Sequence, residues 1–302
     1  MIERVCVVGA GVIGSLFAGH LGKVADVSVL CRRAEHAAEL NASGLRVSGK
    51  ADFVASVTAA VSPDDLPVPD LVIVATKATG LDAAASRLAG RWPDATVMTV
   101  QNGLGAEEVV RRHGDWGLLS AVTFMSGTKH SDTHVEYILD TETWIGPFAG
   151  EPLALAQEAG DLVVRSGLKA EVLPDLRPAQ WSKLIFNATV NGVAALTGLP
   201  HDFHFAEGQL GELVHGLVAE GKAVVRAAGI ELHDDPWEMN VLATQRGHAH
   251  YPSMLEDVDA QRPTEVELIN GALVGQAGEH GADAPLQAAV YALVRGREAS
   301  YT

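Results

Sequence analysis

The sequence predicts two fold classes in one chain: an N-terminal α/β domain with a doubly wound, mainly parallel sheet, and an all-helical C-terminal domain. Short apolar runs without alternation, typical of strands covered on both faces, alternate with helical segments in the first half. Beyond about residue 173, segments rich in Ala, Leu and Glu follow a helical period. A chain of 302 residues is long enough for two cores, and we place the domains at 1–172 and 173–302.

The strands of the first domain can be assigned in order. The buried runs are "RVCVV" (4–8), "DVSVLCR" (26–32), "LVIVATK" (71–77) and "ATVMTVQNG" (95–103). A helical pattern follows the first run through about Gly22, and "HVEYILD" and "TETWIG" further on resemble short strands. The segment "LPDLRP" (173–178) has the composition of a connector.

Composition and charge exclude several classes of function. The formal net charge of −16 argues against a nucleic-acid partner and against an anionic membrane surface. No stretch has the length and purity of a membrane span. The two cysteines, Cys6 and Cys31, are expected to be buried thiols, which favours a cytoplasmic protein. The histidine pairs in "HDFH" (201–204) and "HAH" (248–250) lack helical zinc spacing, so we expect no metal site.

A glycine-rich loop directly follows the first strand and opens a helix. Its glycines, Gly9, Gly11 and Gly14, have the G-x-G-x-x-G spacing of a dinucleotide site. The helix N-terminus would offer free N–H groups to the phosphates. We therefore assign the three glycines, together with Val12 and Ile13 of the same loop and first turn, to cofactor binding in a Rossmann domain.

The end of the second strand indicates which dinucleotide binds. A site for NAD would carry an acid there, whereas this chain has Arg32 and Arg33, and Glu35 comes too late. An arginine fork suits a 2′-phosphate, so the sequence favours NADP; the alternative is that both arginines are solvated surface residues. Lys77 and Asn102 follow two further strands at the carboxyl edge, where ligands bind, although Asn102 could also simply form an Asn-Gly turn.

The C-terminal domain carries a polar stripe on an apolar helix. Lys183, Asn187 and Asn191 recur every fourth position in "WSKLIFNATVNG", so they share one helix face. After Pro263, Glu265 lies on or beside another apolar helical face. A pocket-lining lysine needs a carboxylate or an anionic ligand nearby. Taken singly, the amides could be satisfied structural residues, and Glu265 could be a first-turn acid.

Taken together, these segments resemble the ketopantoate reductase (2-dehydropantoate 2-reductase) family over nearly the whole chain. The matching segments are "GAGVIG", the arginine after the second strand, "TKA", "QNGLG", "KLIFNATVN" and "SMLEDVDAQRPTEVELINGALV". The last two are the specific ones. The resemblance implies a Rossmann domain, a helical domain and a substrate cleft between them.

The resemblance also implies roles for individual residues. The general-acid lysine of the family falls on Lys183 and its active-site glutamate on Glu265. The remaining family positions are substrate-binding Asn187, Asn191 and Ser253, Asn102 for both cofactor and substrate, and Arg32 and Lys77 near the adenosine phosphate. The chain departs from the family at Gly192, where relatives often have proline, and at His201, where a relative uses asparagine to touch substrate.

These observations predict an enzyme, an NADPH-dependent reductase of a branched 2-keto acid, with ketopantoate as the favoured substrate and pantoate as the product. One alternative keeps the fold and reduces a different keto acid or ketone, since Gly192 and His201 put substrate identity in doubt. Another is a non-catalytic NADP-binding sensor. The sequence leaves the oligomeric state open, with a homodimer as one option, because exposed and buried apolar helix faces have the same pattern.

Overall fold

The computed structural model describes residues 1–245 and 251–301. The chain divides into two compact units: residues 1–101 and 106–176 form the first, and residues 102–105 and 177–302 belong to the second. The division at the end of the first unit follows Leu176. The short segment 102–105 leaves the first unit and packs within the second.

The first unit holds all the strands found in the described residues. In chain order these are β1 (Arg4–Val8), β2 (Asp26–Leu30), β3 (Leu45–Gly49), β4 (Phe53–Ala55), β5 (Thr58–Ala60), β6 (Leu71–Val74), β7 (Thr96–Thr99), β8 (Gly117–Thr123), β9 (Ser126–Ser131), β10 (His134–Leu139), β11 (Thr143–Pro147) and β12 (Ala170–Val172). Its helices are α1 (Val12–Leu21), α2 (Ala34–Ser43), α3 (Leu81–Leu88), α4 (Ala106–Arg111) and α5 (Leu153–Arg165).

The main sheet of this unit has the strand order β12-β11-β8-β7-β6-β1-β2-β5. Along the sheet, every neighbouring pair from the edge strand β5 as far as β8 is parallel, whereas β11 runs antiparallel to β8. The order reverses at β1, so the crevice outside the carboxyl ends of β1 and its neighbours is the place where such sheets bind ligands. The predicted doubly wound, mainly parallel sheet is confirmed.

A second sheet of the first unit, in the order β4-β3-β10-β9, was not predicted, although its strand β10 coincides with the short strand expected at "HVEYILD". It covers the outer side of α1, which contacts β3, β9 and β10. A Cβ atom on Gly19 would lie 2.5 Å from a methyl carbon of Val47, so glycine permits this close packing. The second sheet brings the β9–β10 hairpin to the glycine loop.

Every secondary-structure element in the described residues of the second unit is a helix, as predicted. Its α-helices are α6 (Arg177–Thr197), α7 (Gly208–Ala227), α8 (Pro236–Thr244), α9 (Ser253–Asp259), α10 (Ala272–His280) and α11 (Pro285–Glu298). The long helix α6 contacts α7, α8, α9 and α11 and is buried along most of its length. Pro178 suits its first turn, and Gly198, with φ of +73°, follows its last residue.

The glycine at 192 has a packing role in α6. A Cβ atom there would lie 2.5 Å from Cγ1 of Val290 on α11, so a larger residue would push the two helices apart. The departure at this position is therefore explained by the close approach of α6 and α11.

No helix in the described part of the chain is both long and apolar enough to cross a membrane. Cys6 and Cys31 are free thiols in the core of the first unit, as predicted.

Candidate active site

The glycine loop has the geometry that a pyrophosphate needs. Gly9 has φ of +100°, and a Cβ atom on Gly14 would lie 1.9 Å from the carbonyl oxygen of Gly9, so both positions require glycine. A Cβ atom on Gly11 would meet no atom within 4 Å. Gly11 is the N-cap of α1 and has no side chain to cap it, so the N–H groups of the first turn, those of Val12, Ile13 and Gly14, are available to a phosphate.

The two arginines after β2 differ in their surroundings. Arg33 forms an ion pair with Asp132. Arg32 is exposed and has no hydrogen bond or ion pair with any residue that the structure describes. Of the two arginines expected to bind a 2′-phosphate, only Arg32 is without an ion pair to another described residue. Lys77 directly precedes a short 3₁₀ turn after β6 and is exposed, at the carboxyl edge of the sheet.

The polar stripe lies on α6, as predicted. Lys183 is partly exposed, while Asn187 and Asn191 are 7% and 6% exposed. Burial of the ammonium group lowers the pKa of Lys183 from its ordinary 10.5 to about 8, although the negative charge of Glu265 acts in the opposite direction. A lysine with this pKa exchanges its proton readily near neutral pH.

Three of the predicted residues form one hydrogen-bonded chain in the second unit. Nδ2 of Asn102 donates to Oε2 of Glu265 at 3.0 Å, and Nδ2 of Asn187 donates to Oδ1 of Asn102 at 3.4 Å. Glu265 is 8% exposed. The chain fixes the orientation of the carboxylate whose charge acts on Lys183. Asn102 therefore does more than form an Asn-Gly turn.

A close backbone contact brings Asn102 to Glu265. The N–H of Leu104 donates to the carbonyl of Leu268 at 3.0 Å. Gly103, with φ of +97°, lies so close that a Cβ atom there would be 1.9 Å from the same carbonyl oxygen. Leu268 belongs to a π-helical turn, Glu267–Gly271, that leads into α10. Glu265 precedes this turn, so the helical segment predicted after Pro263 begins as a π-turn, which is frequent at functional sites, and becomes a regular α-helix only at Ala272.

Of the other two predicted substrate residues, Asn191 belongs to the stripe itself and Ser253 lies on a helix that contacts α6. Ser253 is the first residue of α9, which packs on α6. Within residues 1–245 and 251–301, the side chains of Ser253 and Asn191 have no hydrogen-bond partner, which leaves their polar groups available to a ligand.

His201 has a structural role instead of the substrate contact that the resemblance suggests for its position. It is 1% exposed, its Nε2 lies 2.8 Å from Oδ1 of Asn240, and its ring packs edge-on against Phe186 and Phe205. His204 lies beside Asp202. No group of three or more potential metal ligands occurs in the part of the chain that the structure describes, and residues 248–250 lie outside that part.

Sequence reasoning missed Asn270, which supports the site. Its fully buried Nδ2 donates to the carbonyl of Ala188 on α6 at 2.7 Å and to Oε1 of Gln287 on α11 at 3.0 Å. It thereby ties the π-helical turn beside Glu265 to the helix that carries Lys183. Asn270 could have been identified from the sequence because it is an amide within the apolar run "ELINGALV". The same pattern, an amide on an apolar helix, identified Asn187.

Comparison with known proteins places both units in one family. Residues 5–150 match the family model described as "Ketopantoate reductase PanE/ApbA", and residues 175–298 match "Ketopantoate reductase PanE/ApbA C terminal". The 2-dehydropantoate 2-reductase of Archaeoglobus fulgidus is 29% identical over 297 residues, covering 98% of both chains.

Two solved structures are similar in fold. A ternary structure of D-mandelate dehydrogenase with NADH and anilino(oxo)acetate has a TM-score of 0.90 at 22% identity and 99% coverage of both chains. The dimeric ketopantoate reductase of Staphylococcus aureus has a TM-score of 0.82 at 23% identity, over 99% of this chain and all of that one. This chain belongs to the ketopantoate reductase family, whose members are pyridine-nucleotide-dependent oxidoreductases acting on a keto group.

Proposed function

We propose that this member of the ketopantoate reductase family uses NADPH to reduce a branched 2-keto acid, with ketopantoate as substrate and pantoate as product. The observation that carries the proposal is Lys183. Its ammonium group has a pKa of about 8 and stands on the same helix face as two buried amides, under the influence of Glu265. A solvated surface stripe would not lower the pKa of a lysine in this way.

In the proposed reaction, Lys183 is the general acid that acts on the keto oxygen of the substrate. A nicotinamide held by the glycine loop would supply the hydride for the keto carbon, and the keto oxygen would then carry negative charge. The ammonium group stabilises that charge and donates a proton to it. The lowered pKa makes this proton easier to release than that of a solvated lysine.

The neighbouring polar groups orient the lysine and the substrate. The hydrogen bonds from Asn187 to Asn102 and from Asn102 to Glu265 hold the carboxylate in one orientation, and we assign to it the positioning of Lys183. Asn191 and Ser253 have polar groups without partners in the described residues. We assign these two to hydrogen bonds with the carboxylate and hydroxyl oxygens of the keto acid.

The proposed preference for NADPH rests on the end of β2. Arg32 stands where a site for NAD would carry an acid, and its guanidinium is exposed. A 2′-phosphate gains a charge-assisted hydrogen bond there, and Lys77 is a second cation for the same adenosine end. We also expect a homodimer, since the Staphylococcus aureus relative is dimeric.

A second candidate keeps the mechanism but changes the substrate to another 2-keto acid. It is favoured by the similarity to D-mandelate dehydrogenase, whose structure holds anilino(oxo)acetate. The two candidates differ only in the group attached to the keto carbon.

The deciding experiment is the rate of NADPH oxidation by the purified protein with ketopantoate, beside benzoylformate and a small panel of other 2-keto acids. We expect the highest kcat/KM with ketopantoate and NADPH, and a lower value with NADH. A higher kcat/KM with an aryl keto acid would move the substrate to the second candidate. Tight NADPH binding without oxidation by any member of the panel would contradict an enzymatic role.

The lowered pKa of Lys183 predicts how keto-acid reduction depends on pH. This pKa is that of the protein without substrate, so the profile that reports it is that of kcat/KM. Reduction needs the protonated lysine, so kcat/KM for the keto acid should be constant near neutral pH and fall above pH 8, by about tenfold per pH unit. The reverse oxidation needs the neutral amine, so its kcat/KM should rise through the same pH range. Both profiles are measured with saturating cofactor and with the keto acid or hydroxy acid well below its KM, between neutral pH and the limit of protein stability. A rate of reduction that is flat or rising through pH 8 would contradict Lys183 as the acid.

A further inference from the structure

The β9–β10 hairpin of the second sheet reaches the glycine loop. Nζ of Lys129, on β9, donates to the carbonyl oxygen of Ala10 at 2.7 Å. Ala10 lies between Gly9 and Gly11, the glycines that shape the phosphate-binding turn. The hairpin is therefore fixed beside the pyrophosphate site by a specific side-chain contact.

The turn of the same hairpin carries a carboxylate that is paired with two cations and lies beside a histidine. Asp132 forms ion pairs with Arg33 and, at 3.3 Å, with Lys129. Nδ1 of His36 is 3.8 Å from its Oδ1, and Nε2 of His36 lies 2.8 Å from its backbone carbonyl. Burial favours the neutral acid, but the hydrogen bonds from Arg33 and Lys129 and the charge of His36 hold the pKa of Asp132 below its usual range. The group is charged at neutral pH.

The carboxylate of Asp132 is connected to two parts of the dinucleotide site, the glycine loop and the end of β2. Lys129 connects it to the loop that binds the pyrophosphate, and Arg33 connects it to the end of β2, where dinucleotide-binding domains recognise the 2′ group of the ribose. A negative charge held between these two points lies beside the place where the 2′-phosphate of NADPH would bind.

We propose that Asp132 is a specificity-determining residue that lowers the preference of this protein for NADPH over NADH. It does so in two ways: its charge repels the 2′-phosphate, and its ion pair withholds Arg33 from the phosphate, which leaves Arg32 as the arginine after β2 without an ion pair to the described residues. The inference rests on the proposed use of a nicotinamide dinucleotide, but not on which keto acid is reduced.

The test measures cofactor binding without any keto acid, by fluorescence titration of the whole protein with NADPH and with NADH at pH 7. In Asp132→Asn the carboxylate is replaced by an amide of the same shape, so the ratio of the Kd for NADH to that for NADPH should rise about tenfold. Asp132→Ala should shift the ratio in the same direction. The ratio should return toward the wild-type value when Arg33→Gln is added to Asp132→Asn.

The matched control is Glu136→Gln. It removes one negative charge from the same hairpin, but Glu136 pairs with His130, so the ratio should stay at the wild-type value. An equal rise in Glu136→Gln would show a general charge effect and overturn the inference. So would an unchanged or lower ratio in both Asp132 variants. If the wild-type protein bound neither nucleotide, the proposed function would fail as well, whereas ketopantoate proving a poor substrate would leave this inference untouched.

Discussion

Replacement of Lys183 by methionine is expected to lower kcat for keto-acid reduction by about a hundred- to ten-thousandfold, the range that a positioned general acid contributes. Methionine keeps the length and much of the volume of the lysine side chain but has no charge and no proton to donate. Because substrate and cofactor contacts elsewhere are unchanged, the KM values should change far less than kcat. The measurement is steady-state kinetics with saturating NADPH.

Lys183→Arg is the control that separates charge from proton transfer. Arginine stays charged at every accessible pH, so it can stabilise negative charge on the keto oxygen but cannot act as an acid. We expect kcat of this variant to lie between those of wild type and Lys183→Met, and its kcat/KM to show no fall above pH 8. A loss of less than tenfold in Lys183→Met would remove Lys183 from the mechanism.

Lys183→Met is also expected to leave the protein folded and more stable than wild type at neutral pH. The pKa of Lys183 is about 8 in the folded protein, against an ordinary value of 10.5. At pH 7 the lysine is protonated in both states, and its less favourable protonation in the folded protein lowers the free energy of unfolding. Between pH 8 and 10.5 the unfolded chain binds more protons at this group, and the penalty disappears as the pH rises. The gain in Tm of Lys183→Met over wild type should therefore shrink across that range.

The main sheet could be predicted because its strands carry a strong local signal. The runs that became β1, β2, β6 and β7 are apolar on both faces and alternate with helices, a pattern that few other folds produce. The second sheet could not be predicted in the same way. The strand β9, "SGTKHS", contains almost no apolar residues, and it is a strand because of its pairing with β10, which a local pattern does not encode.

The candidate site shows the same division between local and long-range information. The spacing of Lys183, Asn187 and Asn191 fixes their common face on any regular helix, so the stripe followed from sequence alone. The helical pattern after Pro263 placed Glu265 beside an apolar face but gave no hint of the π-turn. The pairing of Arg33 with Asp132 joins residues 99 positions apart, and no spacing rule predicts it.

The contact of Asn102 with Glu265 depends on a glycine, and this leads to the prediction with the second-largest effect. Gly103→Ala should lower kcat/KM by about a hundredfold, the loss expected when a catalytic group is displaced by about an ångström. The new Cβ atom would lie 1.9 Å from the carbonyl oxygen of Leu268, so the two backbones must separate. That separation breaks the bond from Leu104 to Leu268 and moves Asn102 away from the carboxylate.

Gly105→Ala provides a matched control two residues away. Gly105 has φ of +93°, close to the +97° of Gly103, so alanine should cost a similar 1–3 kcal/mol or so of backbone strain at either position. A Cβ atom at 105, however, would meet only a methyl carbon of Leu268 at 3.9 Å, an ordinary contact. Gly105→Ala should therefore lower Tm while leaving kcat/KM within a few fold of wild type. Equal losses of kcat/KM in the two variants would mean that strain in the loop, and not its approach to the π-helical turn, places Asn102 on Glu265.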